Sequence, residues 1–184
     1  MTLYECFTNV NDVRNRSGLR HPLPSFLMMV TFSIMSGYTS MQSIATFLQG
    51  NKEQFMLEFN LKHGVPGYTQ IRTILMELDY ASLCSCFQNW ASSYVDITKD
   101  DWLSIDGKTL RSTVTNYDNE KQNYVAMVSL FLSDLGVVIG TQRYENKKQG
   151  ENSATNQLLN NLLFVLKDKG VILTLDALHC QKKQ

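Results

Sequence analysis

Two acids set the chemistry this sequence could perform. Asp106 closes the short apolar segment Trp102-Leu103-Ser104-Ile105 and is followed by Gly107-Lys108-Thr109-Leu110-Arg111. Asp176 closes a second segment of the same form, Val171-Ile172-Leu173-Thr174-Leu175. A carboxylate at the end of a buried strand is held rigidly and offers the oxygen ligand that a hard divalent cation takes. Gly107, reading as the break of the first strand, lets backbone or a ligand come close. Acids so far apart in sequence can meet only if their strands are neighbours in one sheet. Two ions held there about 4 Å apart would activate water and stabilise the leaving oxygen in phosphodiester cleavage. Lys108 and Arg111 are near enough in sequence to contact phosphate. The plainer readings stay open: Asp106-Gly107 as a hairpin pair, Asp176 as a cap or turn acid, and Lys108 and Arg111 as surface charge. Gly107-Lys108-Thr109 lacks the preceding glycine-rich loop of a P-loop.

The elements that must position these acids follow from periodicity. After a polar junction at Asp96 to Asp101, strands are expected at about Trp102 to Ile105, Asn123 to Leu132 and Val137 to Tyr144. In the second, Val125, Met127 and Phe131 alternate onto one side, and Ser133-Asp134-Leu135-Gly136 makes the hairpin turn. Ser112 to Gln122 is a polar loop, and Glu145 to Glu151 a charged one with Lys147 and Lys148. Asn152 or Ser153 caps a helix reaching about Lys169. Its apolar face is Leu158, Leu159, Leu162, Leu163, Val165 and Leu166, and Gly170 is its stop. Val171 to Leu175 is the fourth strand. The order β-β-β-α-β fits the opening half of a ribonuclease H-like fold. The right-handed crossover rule lays the last strand parallel to the first, opposite the hairpin. Asp106 and Asp176 then sit at the carboxyl ends of adjacent parallel strands, where such sheets place their sites.

The first hundred residues read differently. Residues 1 to 21 are a polar arm with Arg14, Arg16, Arg20 and His21, either solvated or in contact with phosphate. Helices then follow, beginning at Pro22 with Phe26, Leu27, Val30 and Ile34 at helical spacing, and ending at Gly37. A second is capped by Thr39 or Ser40 with Met41, Ile44, Ala45 and Leu48 on one face, and a third by Asn51 with Phe55, Met56 and Phe59. After the breaker His63-Gly64-Val65-Pro66-Gly67, Thr69 caps a fourth with Ile71, Ile74, Leu75 and Leu78. The fifth, about Tyr80 to Tyr94, buries Leu83, Phe87 and Trp90. The third and fourth helices could form a helix-turn-helix offering Tyr68, Thr69, Gln70, Arg72 and Thr73 to DNA; ordinary packing is the alternative. The chain is thus expected to be α+β or α/β overall: an all-helical domain over residues 1–98, then an incomplete ribonuclease H-like core over residues 99–184.

Composition narrows the classes. The 184 residues suffice for one or two small domains with a real core. Apolar content of 43% and charged content of 18% mark a globular chain. Seventeen basic and 17 acidic residues cancel, which argues against a generally basic nucleic-acid coat and leaves room for a local basic patch. Cys6, Cys84, Cys86 and Cys180, with three scattered histidines, show no zinc spacing. Reduced thiols in a cytosolic chain are the simplest reading. No signal peptide is visible, and the apolar run Leu23 to Met35 is too short to span a bilayer.

Beyond these readings, Ser104-Ile105-Asp106-Gly107-Lys108-Thr109-Leu110-Arg111 resembles the first-acid motif of the H-repeat-associated DDE transposases of bacterial insertion sequences. Thr174-Leu175-Asp176-Ala177-Leu178-His179-Cys180-Gln181-Lys182 resembles their second-acid motif. Lys148-Gln149-Gly150-Glu151 looks like their Lys-Ser-Asn-Glu segment with a changed middle. Asp12-Val13-Arg14, His21-Pro22-Leu23, and Gly64-Val65-Pro66 followed by Arg72 are similar to their helical N-terminal region. The resemblance covers nearly the whole chain. It implies a ribonuclease H-like core that cuts and joins DNA strands with magnesium or manganese, Asp106 and Asp176 being the first two metal-binding acids. The family's third acid, a Glu, belongs to a later helix, and the sequence stops shortly after Asp176; a shortened copy without that acid is expected.

Glu151, at the start of the helix between strands three and four, is the candidate substitute. Ribonuclease H enzymes place a metal-binding Glu on the equivalent helix; the alternative is an acid favoured by the helix dipole. Arg14, Arg16, Arg72, Lys147 and Lys148 join Lys108 and Arg111 as candidate DNA contacts. The implied partners are insertion-sequence ends and a second copy or a full-length transposase, in the bacterial cytoplasm at the nucleoid, with no membrane. Three fates compete: a strand-cleaving transposase, a non-catalytic DNA-binding or dimerising regulator, and an inactive remnant.

Overall fold

The structure, a computed structural model, describes residues 1–15, 19–110, 113–115 and 123–175. Arg16, Arg111, Asp176, Cys180 and most of the polar loop before Asn123 lie outside the described residues. The chain divides into two compact units, Met1–Trp90 and Ala91–Gln184. Among the described residues, seven helices accompany a four-stranded mixed sheet, and no helix is long and apolar enough to cross a membrane.

The first unit is helical: α1 (Leu3–Thr8), α2 (Leu23–Met35), α3 (Met41–Gly50), α4 (Lys52–Glu58), α5 (Tyr68–Glu77) and α6 (Tyr80–Ser92). The expected polar arm opens instead with α1. The Thr2 hydroxyl accepts from Glu5 N–H, and the Glu5 carboxylate accepts from Thr2 N–H, closing a capping box. Cys6, Phe7 and Val10 are buried in the core with Phe26, Met29, Leu48 and Ile71. α2 starts with Pro24 in its first turn and stops at Ser36, before Gly37 at φ +90°. Ile34, expected on its apolar face, is exposed, and Met29 is buried in its stead. Ser40 caps α3 through Ser43, as its spacing predicts. Asn51 makes no side-chain cap for α4; its amide donates back to Phe47 O at 2.9 Å, closing α3. α5 is capped at Gly67 rather than Thr69, because the Gln70 side chain reaches back to Gly67 N–H. Phe87 faces outward, and Cys86 takes the buried place on α6.

The second unit holds β1 (Trp102–Thr109), β2 (Val125–Leu132), β3 (Val137–Glu145), α7 (Glu151–Leu166) and β4 (Ile172–Leu175). Strand order is β3-β2-β1-β4, with β2 antiparallel and β4 parallel to β1. The placement of β4 on the far side from the hairpin agrees with the crossover rule. β1 does not break at Gly107: Asp106, Gly107, Lys108 and Thr109 pair on with Ser129, Val128, Met127 and Ala126. β2 buries Ala126, Val128, Leu130 and Leu132, so the face carrying Val125, Met127 and Phe131 is the shallower one. The turn to β3 places Gly136 at φ +67°, which a glycine meets without strain. β4 is not a buried strand: Ile172, Leu173 and Leu175 are all exposed.

α7 packs on one face through Ala154, Leu158 and Leu162. Gly140 of β3 makes room, since a Cβ there would collide with the methyls of Leu162 and Leu158. Leu158 is fully buried, so Leu158→Ala should cost about 2–5 kcal/mol in the urea unfolding of the second unit. Leu57→Ala, at a side chain left 87% exposed, should move the first unit's midpoint very little.

Candidate functional site

Asp106 follows Ile105, the last β1 residue paired with β4, whose partner is Leu175. It is exposed, opposite Ser129 of β2. Side chains alternate along a strand. Leu103 and Ile105 face the α7 core, and Ser104, Asp106 and Lys108 therefore share the other face. On that face the Thr174 hydroxyl donates to Ser104 Oγ at 2.9 Å, tying β4 to β1 two residues before the acid. Lys108 is exposed on the same face as Asp106.

Gly107 turns to the α7 side. The Glu151 carboxylate lies directly over it, so close that any Cβ at 107 would collide with it. Glu151 is the first residue of α7, where the helix dipole favours an acid. Its carboxylate hydrogen-bonds the buried Tyr144 hydroxyl. Burial first, and the Glu151 charge second, push the Tyr144 phenol up to about 12. Asp106 and Glu151 thus lie on opposite faces of β1, and among the described residues no three His, Cys, Asp or Glu groups are placed to hold a metal ion. Lys148 pairs with Glu145 at 2.8 Å, while Lys147 is exposed. The Tyr144–Glu151 contact was missed in the sequence, although the tyrosine ends a strand and the acid starts the next helix.

In the helical unit, residues 59–67 separate α4 from α5, longer than the three- or four-residue turn of a helix-turn-helix. Thr69, Gln70 and Thr73 do not stand on a bare recognition helix. They line a cavity of about 340 Å³ together with Arg14, Asn15, Leu19, Arg20 and His21. Arg72 is exposed outside it. Arg14 is only 10% exposed, gripped by both Asp12 oxygens at 2.7 Å and donating to His21 O at 3.1 Å. The Arg14 guanidinium holds the Asp12 carboxyl below its ordinary range. His21 is buried, and desolvation, aided by the nearby charges of His63, Arg14 and Arg20, lowers its pKa against a raising hydrogen bond with Gln70. Sequence reasoning placed Arg14, Arg20 and His21 on an arm. Their convergence with α5 was not visible, because the partners lie some fifty residues away.

The family described as DDE_Tnp_1-associated matches residues 4–91. The Escherichia coli K12 protein YbfL is 30% identical over 98% of this chain and 46% of its own length. YncI of the same strain, named as a transposase, is 28% identical over 93% of this chain and 66% of its own. YhhI, named as an H repeat-associated transposase, is 28% identical over 98% of this chain and 46% of its own. The chain thus spans about half to two thirds of these curated relatives. Among solved structures, a piggyBac transposase in a synaptic complex with hairpin DNA is similar over 94% of this chain and 45% of its own, at 10% identity and a TM-score of 0.37, too loose a match to carry the fold.

Two titrations check these sites. Glu151→Gln should lower the Tyr144 phenol from about 12 toward its ordinary value without reaching it, since burial is the larger cause; phenolate absorbance, with Tyr144→Phe as the blank, reads this. The His21 pKa is depressed on folding, so its stabilisation is complete above the unfolded value of about 6.5 and is lost as pH falls through the folded one. The urea midpoint of the helical unit should therefore drop below that pH, and His21→Asn should flatten the drop.

Proposed function

The chain belongs to the family of H repeat-associated transposases, and from that premise we propose that it serves the DNA transposition of an insertion sequence by metal-dependent cleavage and transfer of DNA strands. Residues 99–184 are then the opening half of a ribonuclease H-like core, and residues 1–98 the associated helical domain that contacts DNA. One observation supports this above the others: Ile105 and Leu175 are partners in parallel strands, and each is followed in sequence by an acid. Neighbouring parallel strands that each lead in sequence to an acid suit phosphodiester chemistry.

The hard carboxylate oxygens of Asp106, exposed on an open strand face, suit a divalent cation. Magnesium or manganese, held by Asp106 and Asp176, would supply an activated water and a stabilised leaving oxygen. Lys108, on the same face, meets the charge of a backbone phosphate. Glu151 does not suit that cation, because it lies over Gly107 on the α7 face and is bonded to Tyr144. Its role in this reading is to hold α7 against β1 beside the acid. The ends of the element are the DNA substrate, and a second copy or a longer relative is the protein partner.

Magnesium- or manganese-dependent cleavage of DNA carrying the element's terminal repeats tests the proposal. Asp106→Asn should lower the cleavage rate by about a hundredfold or more while leaving binding in place. Retarded DNA without cleavage by the unaltered chain would favour the regulator, and neither binding nor cleavage would leave an inactive relative.

A further inference from the structure

The helical unit carries a long stretch without charge. From Pro22 to Asn51 the chain holds no Asp, Glu, Lys, Arg or His. Those residues build α2, the turn after it and α3. At the end of α2 and in that turn, Phe32, Ile34, Met35 and Tyr38 are 41, 50, 79 and 38% exposed. Apolar side chains exposed singly are ordinary, whereas four within seven residues make a patch. At about 150–250 Å² for a large side chain, they leave on the order of 400 Å² to water, the size at which a patch marks a contact surface.

The patch is held in place before anything covers it. The Tyr38 ring lies against Phe47 with centroids 4.8 Å apart, Phe47 against Phe55 at 6.0 Å, and Phe55 against Phe32 at 6.4 Å. The two exposed rings thus rim one aromatic cluster. The turn itself is closed by its backbone: Tyr38 N–H donates to Ser33 O and Gly37 N–H to Ile34 O, both at 2.9 Å, around Gly37 in the left-handed region. A surface so fixed loses little freedom when it is covered.

The chemistry of the patch narrows its occupant. DNA requires cations against its phosphates, and this stretch has none. A segment lying on a membrane carries Lys or Arg on its polar face, which is also missing here. A charged partner would lose hydration with no counter-charge to meet it. A neutral apolar surface remains, and the patch is itself one, so two copies meet with no like charges opposed. Its shape is also self-complementary. Met35 projects, while two residues on Gly37 leaves open space, a Cβ there meeting nothing within 4 Å. In a two-fold pair each copy offers one projecting side chain and one gap, and the flexible thioether of Met35 adapts to the fit.

We propose that the turn between α2 and α3 is a self-association surface, where Phe32, Ile34, Met35 and Tyr38 of one copy pack on the same residues of a second about a two-fold axis near Ser36. This rests on the reading that a second copy is the protein partner, and adds where it binds. An area of about 400 Å² per copy is half of what a standard interface takes from each partner, so the pair forms reversibly.

Sedimentation of the full chain over a concentration series tests this. The expected result is a monomer–dimer equilibrium with a Kd of about 10–100 µM that does not weaken as salt rises, because no ion pair holds it. Met35→Lys and Met35→Glu, at a side chain standing in water, should each weaken pairing by about tenfold or more, and an equimolar mixture of the two should pair again. Leu57→Lys is the control. Leu57 is exposed, but it lies two residues on from Phe55 and so about 200° around α4 from the ring cluster, and its substitution should leave the dimer in place. A chain that stays monomeric, a dimer lost in Leu57→Lys and kept in Met35→Lys, or one that falls apart as salt rises would overturn the proposal. So would Met35-dependent binding of the monomer to neutral phosphatidylcholine vesicles. Retardation of terminal-repeat DNA by the same samples separates the two readings. DNA bound by a chain that never pairs removes this surface and leaves the DNA reading standing; a chain that pairs and ignores DNA does the reverse.

Discussion

The second unit depends on how closely α7 can lie on its sheet. Leu158 and Leu162 settle over Gly140 of β3, where any larger residue would meet their methyls. That contact sets the helix at the height from which the chain returns as β4, parallel to β1. A parallel neighbour needs such a crossover, since no tight turn can supply one. The same closeness recurs at the start of α7, where Glu151 occupies the space that Gly107 leaves open. Two glycines on different strands thus determine the seating of one helix. The level at which β4 meets β1 follows from it, and with that level the position of Asp106 beside the end of the parallel pairing.

Electrostatics in the helical unit works by pairing and exclusion rather than by net charge. Arg14 is spent on Asp12 and on the carbonyl of His21, which ties it to the residue just before the start of α2. His21 stays uncharged in a neighbourhood of positive groups because burial and those groups act in the same direction. A chain with a formal net charge of zero can still gather basic side chains locally, here Arg14 and Arg20 beside one cavity.

Much of this was readable from the sequence where periodicity speaks. The crossover, the hairpin turn and the buried faces of α3 and α5 come from spacing alone. Gly107 misled because a glycine usually ends a strand, yet here β2 supplies partners as far as Thr109. α1 was hidden by its length: six residues hold too few apolar positions to show a period, and its stability comes from packing on α2. The cap of α5 moved from Thr69 to Gly67 because the side chain of Gln70 decides it, a signal three residues downstream. At the acid site, the presence of Asp106 was legible and its face was not, since facing follows from register with β2. The cavity around His21 was illegible for a stronger reason: it joins Arg14, Asn15, Leu19, Arg20 and His21 to α5, and no local pattern encodes that meeting.

The opposite facing of Asp106 and Glu151 bears on what an acid on the crossover helix can do. A helix that packs on one side of a sheet reaches the alternate residues that point to that side, and in β1 those are Leu103, Ile105 and Gly107. Asp106 points away from it by the two-residue period of the strand. Moving Glu151 one position along α7 would turn its side chain by about 100° and cost the contact with Tyr144, without carrying it across the sheet. The glycine is thus suited to the helix acid, and the aspartate to whatever approaches the open face. In the proposed reading, a further ligand for a cation at Asp106 would have to come from that side, which Ile172 and Thr174 of β4 share by register with Trp102 and Ser104.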